Sequence, residues 1–106
     1  SVTRMSRISD LKEKLQTNPS QIFHRYSLAL AYQDEGEISL ACIELEKCLS
    51  SKPDWMMVAL FLGKNYLDLG IVDKAKERLE LAMKLSQEQN HDDPANEAES
   101  LLNQCK

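Results

Sequence analysis

Apolar residues recur at intervals of three and four along most of this chain, and only three glycines and three prolines interrupt them. That period belongs to helices with one buried stripe, so the pattern predicts an all-α chain joined by short turns. Helices are expected over 6–17, 21–35, 38–51, 55–69, 72–89 and 94–105. Leu11 and Leu15 mark the stripe of the first. In the last, Ala98, Leu101, Leu102 and Cys105 stand at i, i+3, i+4 and i+7, with Asp93 as the expected N-cap and Pro94 as the first helical residue. One segment departs from the alternation, because Trp55 to Leu62 are eight consecutive apolar residues. A membrane span needs roughly 18 to 20 of them, so no membrane insertion is predicted.

Sliding the sequence against itself by 34 residues carries Leu28, Tyr32, Gly36, Ala41 and Leu45 onto Leu62, Tyr66, Gly70, Ala75 and Leu79. The same shift takes Ala29 to Gly63, Cys48 to Ala82, and Leu11, Leu15 and Pro19 to Leu45, Leu49 and Pro53. Small residues at Ala29 or Gly63, Ala41 or Ala75, and Cys48 or Ala82 suit two antiparallel helices that approach closely. Leu28, Tyr32, Leu62 and Tyr66 fill the space between them. Gly36 and Gly70 fit a left-handed residue at the end of a helix, and Pro53 ends the next. Each unit reads as a helical hairpin that buries its face against a neighbour.

This spacing, clearest in "LGKNYLDLGIVDKAKERLELAMKL", resembles the tetratricopeptide repeat and its small bacterial-type domain proteins. The resemblance implies antiparallel helical hairpins stacked as a short right-handed superhelix with capping helices. The expected organisation is one domain over 5–106, with capping helices in 5–19 and 93–106 and repeats at 20–53 and 54–88. Residues 1–4 are expected to be an expression scar or a disordered leader. The last helix matches the repeat only at an offset of 39, so about five extra residues around "EQNHDDP" lengthen the connection or the helix before it.

In this family the first helix of each pair lines a concave peptide-binding groove. The register places Phe23, Tyr26, Leu30, Gln33 and Asp34 there in the first repeat, and Met57, Leu60, Phe61, Lys64, Leu67 and Asp68 in the second. The implied function is a non-catalytic protein-protein interaction module that binds an amphipathic or apolar peptide or helix. The alternative is self-assembly, a homodimer or larger homo-oligomer, through the same apolar surface. Some members clamp a carboxylate with Lys, Asn and Arg on these helices, but the matching positions here are Tyr26, Leu30, Leu60 and Lys64.

A helix that is apolar all round is covered all round, and three coverings compete for the block at 55–62. The last helix can swing across it, a second copy can bury it, or a partner helix can seat on it. A formal charge of -4 with no basic stripe argues against nucleic acid as a partner. Cys42, Cys48 and Cys105 lack disulfide-framework or zinc spacing, which points to a reducing cytoplasm. His24 reads as solvent-facing and His91 as part of a polar loop. No nucleophile stands beside a base, so no catalytic residue, metal or cofactor is expected. Asp54 is the expected N-cap of the helix that begins at Trp55.

Overall fold

The computed structural model describes residues 2–106, with side chains from Ser6 onward, and all regular structure among them is helical. Helix α1 spans Val2–Thr17, α2 Ile22–Asp34, α3 Ile38–Ser51, α4 Met56–Asp68, α5 Val72–Glu88 and α6 Asp92–Asn103. Of the leader expected at 1–4, Ser1 lies outside the described residues, and α1 begins at Val2. The chain divides into two compact units, one through Ser51 and the other from Lys52.

In the first unit α2 and α3 form a hairpin and α1 packs on α2. Ile8, Leu11 and Leu15 of α1 meet Leu28, Ala31 and Tyr32 of α2 in one core cluster. Arg25 Nη1 donates to Glu44 Oε1 at 2.6 Å in a partly buried pair between α2 and α3, and Arg25 Nη2 donates to the Pro19 carbonyl at 3.2 Å. Two charges can be taken out of water here because each keeps a short, charge-assisted partner.

In the second unit α4 and α5 form the hairpin, with α6 packed along α5 and touching α4. Gly63 sets the closeness of the hairpin: a Cβ there would stand 2.5 Å from Leu79 Cγ, and Leu79 is wholly buried with nowhere to retreat. The adjoining cluster joins Ala59, Leu60, Leu79, Ala82 and Ala98.

Three helices end in the same way. Gly36, Gly70 and Asn90 have φ of 80°, 75° and 60°. In each case the next backbone N–H turns back onto the last helical turn, Glu37 to the Tyr32 carbonyl, Ile71 to Tyr66 and His91 to Ser86, at 2.9, 2.9 and 2.8 Å. These bonds satisfy carbonyls that a helix end leaves without partners. Asn90 does this without glycine, since a short amide side chain tolerates the left-handed region better than most.

Two caps differ from expectation. Trp55, not Asp54, is the N-cap of α4 and makes no side-chain capping bond; the Asp54 carbonyl instead accepts from Gln89 Nε2 at 3.0 Å. Helix α6 starts two residues early, with His91 as its cap and Asp92 and Asp93 both in the first turn, where negative charge complements the helix dipole. Pro94 is therefore the third helical residue, a position whose N–H has no intrahelical acceptor in any case.

Two substitutions test this packing by urea denaturation. Gly63→Ala is expected to lose about 1–2 kcal/mol net, because overpacking against Leu79 exceeds the ~1 kcal/mol that alanine gains in helix propensity. Ser86→Ala is expected to gain roughly 1 kcal/mol, because the buried Ser86 hydroxyl has no hydrogen-bond partner among the described residues.

Candidate functional site

On α2, Phe23, Tyr26, Leu30 and Gln33 recur at three and four along one side of the helix, with Asp34 beside them. They lie away from Leu28 and Tyr32, which face α1. Phe23 is 65% exposed. Tyr26, Leu30 and Gln33 are half-buried and Asp34 is exposed. A phenyl ring held out in water beside two further large side chains is a surface that gains on being covered.

Helix α1 flanks this strip. Arg7 Nη1 reaches Asp34 Oδ2 at 3.6 Å across the α1/α2 interface. Further along, a cleft of about 450 Å³ is lined by Asp10, Glu13, Lys14, Thr17, Asn18 and His24. It adjoins a second one of about 500 Å³ that shares Asp10 and Lys14 and reaches Ser27. Sequence reasoning missed this edge, because it read α1 through its buried leucines alone. The signal was present, since Arg7, Asp10, Lys14 and Thr17 keep helical spacing along the flank of the buried stripe. His24 is not a plain solvent-facing residue; it is half-buried in the wall of the cleft.

The α4 positions fare differently. Leu60, placed by register among the groove residues, is only 2% exposed. It belongs to the cluster that holds Ala98 of α6, and Met57 and Leu67 pack against the same cluster. Ala98 is the reason, because a methyl side chain lets α6 come close. Lys64 Nζ donates to Glu97 Oε1 at 3.1 Å, an exposed pair at the edge of α6. Phe61 is half-buried and Asp68 exposed. Within this unit Met57, Ala59 and Leu60 of the apolar block thus share a cluster with residues of α5 and α6.

Burial pushes the Cys48 thiol up to about 11; Arg25 opposes this and Glu44 adds to it. Burial, and then Cys48, raises Tyr26 above its ordinary value. A thiol held protonated is a poor nucleophile. Among the described residues no group of three or more His, Cys, Asp or Glu side chains is gathered as a metal site, and no helix is long and apolar enough to cross a membrane.

No protein-family model matches the chain. Among solved structures it is similar to a tetratricopeptide repeat domain protein from Salinibacter ruber, with a TM-score of 0.73 and 22% identity, covering 84% of this chain and 90% of that one. The chain has the tetratricopeptide-repeat fold. PcrH from Pseudomonas aeruginosa resembles this tetratricopeptide array over 99% of the chain and 92% of its own length, at 15% identity and a TM-score of 0.74. In sequence it is 36% identical over 73 residues, 69% of the chain, to the human Protein IFIT1 homolog B; the match spans 15% of that protein's length.

The two faces of the tetratricopeptide units separate on substitution. Leu60→Ala is expected to cost about 2–5 kcal/mol, whereas Phe23→Ala is expected to stay within about 0.5 kcal/mol, as read by chemical denaturation. The Cys48 shift gives a pH signature. The folded pKa lies above the unfolded one, so its stabilisation is complete below the ordinary thiol value of 9.0 and is lost as pH rises through about 11. Cys48→Ala, the residue found at Ala82 in the second repeat, is expected to flatten the stability profile over that window.

Proposed function

We propose that this chain is a non-catalytic protein-protein interaction module that takes the amphipathic or apolar helix of a partner on the exposed face of α2. Tetratricopeptide folds imply interaction modules, and the observation that carries the assignment to α2 is the exposure of Phe23 beside Tyr26 and Leu30. Apolar anchors of the partner, spaced at three and four, seat on this strip. Gln33 and Asp34 bound it at one end. On α4, Leu60 is reserved for α6, while Phe61, Lys64 and Asp68 keep partly exposed edges for a lesser contact. Met57 and Leu67 act from beneath, as packing that holds those edges in place.

A small apolar strip with few charged anchors gives modest affinity and tolerance of sequence, because large side chains dominate while polar rims mainly set register. The test is fluorescence anisotropy with a labelled amphipathic peptide of roughly 18 residues carrying leucine at alternating intervals of three and four. Phe23→Ala is expected to weaken binding about tenfold with the fold intact. Binding that Phe23→Ala and Leu30→Ser both leave unchanged sinks the assignment to α2.

A further inference from the structure

We draw no further inference here: the strongest candidate, the exposed apolar strip of Phe23, Tyr26 and Leu30 on α2 with the polar cleft that flanks it along α1, belongs to the site already described, and nothing in the structure shows what covers it.

Discussion

The closeness with which two helices can pass is the constraint on which each unit depends. At Gly63 the chain gives up a side chain altogether so that Leu79 can fill the gap between α4 and α5. Ala29 and Leu45 hold the same repeat positions in the first unit, and both are wholly buried. Small against large sets the spacing, and the spacing decides which sides of the first helix in a pair are used up internally. Whatever that helix carries on its remaining side is left to others. On α2 that remainder is Phe23, Tyr26 and Leu30; on α4, Leu60, Met57 and Leu67 of it are drawn into the cluster that α5 and α6 share.

Length matters as much as pattern in deciding which helix covers what. Helix α5 has 17 residues against 14 in α3. Ala98 is the seventh residue of α6, whereas Ala59 is the fourth of α4. The extra residues thus became helix rather than loop, and the connection at Gln89 to His91 stayed tight through Asn90. A glycine there would relax the turn. The asparagine holds it at some cost in backbone freedom and keeps the placement of α6 local to its own unit.

All six helices could be read from the sequence because period, small residues and turn glycines agree with one another, and their ends fall within a few residues of expectation except at Val2. The position of α6 could not. Its leucines announce a buried stripe, but nothing in Ala98, Leu101 and Leu102 says whether the stripe meets α5 alone or also closes over Leu60. Capping was misread at Asp54 and Asp93 because a favourable residue type was taken for a bond that the backbone makes elsewhere. The cleft along α1 went unread for a related reason. Hydrophobic period shows which side of a helix is inside, while the meaning of charges on the other side depends on what lies across from them, and only the Arg7 to Asp34 contact supplies that.

Repetition of the hydrophobic frame does not extend to the electrostatics. The partly buried Arg25 and Glu44 are a matched pair in the first repeat, but the corresponding places in the second hold Ala59 and Arg78. Copying α2 into the α4 position would bring a guanidinium toward Arg78, and copying α4 into the α2 position would leave the partly buried Glu44 with Lys47 alone, at 3.5 Å, in place of its closer Arg25 partner. The two repeats are therefore not interchangeable modules. Shuffling or duplicating them in an engineered array requires α2 and α3 to travel together, as one indivisible piece.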